Sequence, residues 1–95
     1  MLEASLVVPK ELVKELKFST NDVLDGEPAR MRLRNVYLNK AQTMGNLYKH
    51  KVKLYFKTSE DQLMAVETTI WSADDDFISI KGATIPTKSV WAIEI

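Results

Sequence analysis

The chain has no cysteine and only one histidine, His50. The first absence removes a disulfide framework, a thiolate nucleophile and a cysteine-based zinc site, and it fits a reducing cytoplasm. The second leaves no pair of imidazoles for a metal. His50 stands between Lys49 and Lys51 without a neighbouring acid, the pattern of an exposed residue at a strand start. Glycine and proline are scarce, three of each, and aromatic and β-branched residues are spread through the second half, which argues against disorder. No apolar run approaches the roughly 20 residues of a membrane span. The start, MLEASLVVPKEL, carries Glu3 where an export leader is positive, and its apolar run is too short for one. The expectation is a cytoplasmic protein without a membrane partner.

Catalytic signatures are also missing. No G-x-S-x-G elbow frames a serine. Asp74, Asp75 and Asp76 lack the glycine and closing glutamate of a calcium loop, so they read as an acidic hairpin turn and not as metal ligands. No enzyme and no cofactor are expected.

At 95 residues the chain makes one domain, residues 1 to 95, in which every apolar face is needed for the core. Pro9 suits a first helical position, and Leu12, Val13 and Leu16 line one side, which predicts a helix from Pro9 to Phe18. STNDVLDGEP is a cap-and-turn linker. Pro28 opens a second helix to Met44 whose inward stripe is Leu33, Val36, Tyr37, Ala41 and Met44, with Gly45 as its cap. From Lys49 the period becomes two: Val52, Leu54 and Phe56 face one way, Lys51, Lys53, Tyr55 and Lys57 the other. LMAVETTIWSA, FISIKG and ATIPTKSVWAIEI supply three further strands, the last bent at Pro86. The predicted fold is α+β: two N-terminal helices packed on a four-stranded antiparallel meander sheet, or that meander curled into a small half-barrel.

The run VETTIWSADDDFISIKGATIPTKSVWAIEI resembles the ending of short bacterial proteins, of a Bacteroidetes type, that have no assigned function. The resemblance implies an α+β protein and brings no activity, cofactor or site residue. On strand rhythm and the closing IPTKSVWAIEI the chain is also similar to small Sm-like or SH3-like barrels, which implies shape only.

The most informative absence is local. From Arg30 to Lys57, RMRLRNVYLNKAQTMGNLYKHKVKLYFK, there is no Asp or Glu. Residues 28 to 57 hold eight basic residues against no acid, while residues 1 to 27 hold three against six and residues 58 to 95 two against seven. The net charge of zero is thus polarised. One reading is a nucleic-acid or phosphoanion patch of Arg30, Arg32, Arg34, Lys49, Lys51, Lys53 and Lys57, with Tyr55 as a stacking platform. The other sets Glu60, Asp61 and Glu67 across from the lysines, and Asp25 and Glu27 beside the arginines, so that charge cancels internally. Trp71 and Trp91 lie on the strands, either exposed as a protein interface or buried beneath the helices. The preferred reading is a non-catalytic interaction or regulatory module, self-associating as a homodimer through its sheet surface or binding another protein. Nucleic-acid or phosphoanion binding through residues 30 to 57 is the alternative.

Overall fold

Proline and glycine set the entry to the one long helix. Gly26 takes φ 82°, a left-handed conformation that turns the chain, and Pro28 follows at the first helical position, where its missing N–H leaves no bond unmade. In the computed structural model, which describes residues 6–95, this helix is α1, Pro28–Tyr48. The expectation of a chain start without a leader rests on residues that lie outside the described ones.

Among the described residues seven strands accompany α1: β1 (Leu6–Val7), β2 (Val52–Lys57), β3 (Leu63–Thr68), β4 (Ile70–Ala73), β5 (Phe77–Ile80), β6 (Ala83–Pro86) and β7 (Val90–Glu94). They form two sheets, ordered β1-β3-β2-β7 and β4-β5-β6. All pairings are antiparallel except that of the two-residue β1 with β3. The fold is therefore α+β, but it has one long helix and two sheets not closed into a barrel, in place of two helices on a four-stranded meander or half-barrel.

Each departure has a local cause. The segment expected as the first helix makes only a six-residue 3-10 turn, Lys10–Glu15, because the chain must be extended from Leu16 onward. There Ser19 N–H donates to Lys57 O and Ser59 N–H to Lys17 O, so pairing with the end of β2 overrides a helix too short to stand alone. The expected second strand breaks at Thr69, and its halves enter different sheets. Pro86 ends β6, the 3-10 turn Thr87–Ser89 follows, and β7 then crosses to pair with β2.

Between the sheets, Val52, Leu54 and Phe56 meet Val66, Ile70, Ile78, Ile80, Ile85 and Val90 in one buried cluster. Helix α1 packs on β4 of one sheet and β7 of the other. Its buried positions are Arg34, Leu38, Ala41 and Gly45, spaced by four, three and four. Of the expected inward stripe only Ala41 is buried. Leu33, Val36 and Tyr37 are exposed, and Met44 is half-buried. Gly45 does not end the helix either. A Cβ there would collide with Ile70 O, so the glycine lets α1 approach β4, and the helix runs on to Lys49, whose φ of 54° forms the left-handed cap.

These placements set opposite expectations for two helix substitutions. Gly45→Ala is expected to destabilise the fold by about 1–3 kcal/mol through overpacking, while Leu33→Ala stays within about 0.5 kcal/mol, as at other exposed sites. Urea denaturation of the dilute monomer measures both, and a Leu33→Ala loss above about 2 kcal/mol that does not change with protein concentration would place that residue in a core instead.

Candidate functional site

The acid-free block begins with three arginines at the positive end of α1, which no acid in the first helical turn offsets. Two of them serve the sheet edge. Arg34 is the one charged side chain buried among the described residues. Its Nη1 donates to Asp22 Oδ1 at 2.9 Å and to Val90 O at 3.1 Å, and its Nη2 donates to Asp22 Oδ2 at 2.8 Å. The fork thus ties the linker, the helix and β7 together. Its Nε is buried without a hydrogen-bond partner, a remaining cost to the site. Arg30 donates to Trp91 O at 3.2 Å and to Glu27 Oε1 at 3.4 Å, and its guanidinium lies 4.4 Å from the centre of the Trp91 ring. Both carbonyls belong to β7, an edge strand that would otherwise offer acceptors to another chain. Gln42 does the equivalent for β4, accepting from Ala73 N–H at 3.0 Å.

Asp22 completes the arrangement. It accepts from both terminal nitrogens of Arg34 and, at 2.9 Å, from Leu24 N–H. The hydrogen bonding to Arg34 holds its carboxyl below the usual carboxylate range, against the opposing effect of burial.

The remaining basic residues divide. Lys57 pairs with Asp61 at 3.6 Å. Lys53 lies in register with Glu67 on one side and Glu94 on the other, with its ammonium 5.5 Å from the Tyr55 ring centre. Tyr55 is not a stacking platform: it is 1% exposed, lying between the small partners Ala65 and Ala92, and its hydroxyl donates to Glu94 Oε2 at 3.0 Å. Arg32, Lys49 and Lys51 are exposed and have no ion-pair partner among the described residues. The expected patch is therefore split, with Arg30, Arg34, Lys53, Tyr55 and Lys57 engaged within the fold and Arg32, Lys49 and Lys51 left outside it.

The tryptophans part company as well. Trp91, half-buried under Arg30, walls a hollow of about 230 Å³ between α1 and β7, with Leu33, Tyr37 and Ile93. Trp71 is 52% exposed at an irregularity where the β4–β5 register shifts. Asp74 Oδ1 accepts from Asp76 N–H and Phe77 N–H, both at 2.8 Å, which makes it the hinge of the β4–β5 turn. No group of three His, Cys, Asp or Glu that could hold a metal occurs among the described residues, and none of their helices is long and apolar enough to cross a membrane.

Sequence reasoning missed one feature altogether, the exposed apolar flank of α1. Leu33, Val36, Tyr37, Leu47 and Tyr48 are all more than 40% exposed, while Asn35, Asn39, Gln42 and Asn46 line the other side. The signal was present in the sequence: α1 has more apolar positions than one buried stripe can use. Comparison with protein-family models, curated proteins and solved structures gives no match.

The Asp22–Arg34 pair makes stability pH-dependent with a definite sign. Because the folded carboxyl titrates below its unfolded value of about 3.9, the pair's contribution is complete above that pH and is lost as pH falls through the folded value. Asp22→Ala is expected to cost roughly 3–5 kcal/mol at pH 7, leaving Arg34 buried and unpaired, and to flatten the acid limb of stability below about pH 4. Urea titrations at a series of pH values test this. A loss under about 0.5 kcal/mol with an unchanged acid limb would remove the pair's structural role.

Proposed function

We propose that this chain is a non-catalytic cytoplasmic interaction module that self-associates through the apolar flank of α1 and the adjoining hollow at β7. The carrying observation is the exposure of Leu33, Val36, Tyr37, Leu47 and Tyr48 along one side of a single helix, a concentration of large apolar side chains that a solitary small protein rarely leaves uncovered. The sheet surface first expected to serve is less suited. Arg30 and Arg34 occupy the outer carbonyls of β7, Gln42 covers β4, and Pro86 interrupts β6.

A second copy is the occupant this surface favours. Leu33 and Leu47 lie seven positions either side of Lys40, and Val36 and Met44 lie four either side. An antiparallel two-fold pairing of α1 with its copy therefore sets leucine against leucine and valine against methionine, the self-complementarity that an isologous interface requires. Lys40 falls at the centre, where it meets its own copy. Its stem stays on the apolar surface while the ammonium turns outward, and added salt screens the repulsion.

Sedimentation velocity across micromolar concentrations is expected to show a monomer–dimer equilibrium that tightens as salt is raised. Leu33→Ser with Leu47→Ser is expected to weaken it about tenfold or more, at least 1.4 kcal/mol, whereas Lys40→Met strengthens it. A monomer at every concentration and salt, or association untouched by the paired serines, would reject self-association through α1.

A further inference from the structure

Trp71 overlooks a hollow of about 440 Å³ at the C-terminal end of α1. Four lysines line it, and each arrives from a different place in the chain: Lys10 from the 3-10 turn, Lys49 from the cap of α1, Lys51 from the link to β2 and Lys81 from the β5–β6 turn. No carboxylate is among its lining residues, and none of the four lysines has an ion-pair partner among the described residues. In a chain with 13 acids for 13 bases, that is a local separation of charge which folding alone does not require. The negative end of the helix dipole accounts for Lys49 and Lys51. It does not account for Lys10 or Lys81. Lys49 moreover holds a left-handed backbone, φ 54°, where glycine would sit without strain.

We propose that this hollow binds the phosphate-and-base unit of a nucleotide, free or within a single strand. The ammonium groups act as mobile point charges that gather around phosphate oxygens. The Trp71 ring, turned outward where the β4–β5 register shifts, offers a flat face on which a base stacks whatever its sequence. Asn46, on the rim, supplies both donor and acceptor groups for a base or sugar edge. The hollow's volume lies within the range of small-ligand sites. A duplex keeps its bases stacked internally and cannot present one to Trp71, so the site selects unpaired nucleotides.

The test is fluorescence anisotropy of a labelled oligothymidylate of about twelve nucleotides with the full chain, repeated with the matching duplex, and with ATP and inorganic phosphate as competitors. Binding is expected to weaken as salt rises, with a log–log slope of about −3, or about −0.7 for each of four phosphates. Trp71→Ala is expected to lower affinity about 5- to 150-fold, the loss of one stacked base. Lys51→Gln with Lys81→Gln makes the slope shallower by about 1.4. Arg32→Gln, outside the hollow, leaves both readouts unchanged, and so does Leu47→Ser, which separates this site from the α1 flank. Displacement by ATP at equal nucleotide concentration identifies the free nucleotide as the source, and binding of the strand alone identifies single-stranded nucleic acid. The proposal is overturned if neither ligand binds at low salt, if Trp71→Ala binds as tightly as the parent while its circular dichroism is unchanged, if the duplex binds as well as the strand, or if inorganic phosphate displaces as well as ATP.

Discussion

A bidentate ion pair between Arg34 and Asp22, with a third bond from the guanidinium to Val90 O, decides where the long helix lies. A helix over an antiparallel sheet is free to slide along its apolar contacts, because dispersion and burial are not directional. A buried guanidinium is not free in this way. Once Arg34 is 7% exposed, moving it from either partner leaves a charge unpaired in a poorly solvated place, so the helix is held in rotation and along its axis. Gly45, eleven residues further on, fixes the other end by letting the backbone of α1 approach Ile70. Between these anchors Leu38 and Ala41 are carried inward, and Leu33, Val36 and Tyr37 outward.

This geometry connects the fold to its binding surfaces. Arg30 and Arg34, two of the three arginines at the start of α1, are consumed in covering β7, which protects that edge from strand pairing and removes them from any anion patch. The same rotation leaves an apolar flank above β7, the basis for the proposed self-association. Where α1 ends, the lysines that are not needed for structure gather beside Trp71 with others from the first turn and the β5–β6 hairpin. One polarised sequence thus supplies an ionic lock at one end of a helix and a lysine-lined hollow at the other.

Much of the sheet was legible because its period is strong. The alternation of Val52, Leu54 and Phe56 with charged neighbours locates β2, which starts three residues later than the period change at Lys49, and Pro86 marks the bend before β7. The pairing of β7 with β2 was not legible, since no local pattern records which strands meet when four others lie between them in the chain. The inward face of α1 departs from its hydrophobic stripe for a definite reason: the buried side is anchored by an arginine and a glycine, the residue types that such a pattern discards. The acid-free block from Arg30 to Lys57 was rightly visible as a feature, but charge along a sequence does not say which members fold onto acids. Lys10 and Lys81, which lie outside that block, and the outward turn of Trp71 come together only through the tertiary structure.

The most direct measurement of the central claim is a double-mutant cycle on Asp22 and Arg34, using Asp22→Ala, Arg34→Met and the pair, with stability read from urea denaturation at pH 7. The expected result is a coupling energy of about 2 kcal/mol or more, within the range for residues of one buried network, with the double variant more stable than Asp22→Ala alone because no unpaired guanidinium remains. Additive losses, with a coupling below about 0.5 kcal/mol, would contradict the account and return the placement of α1 to its apolar contacts.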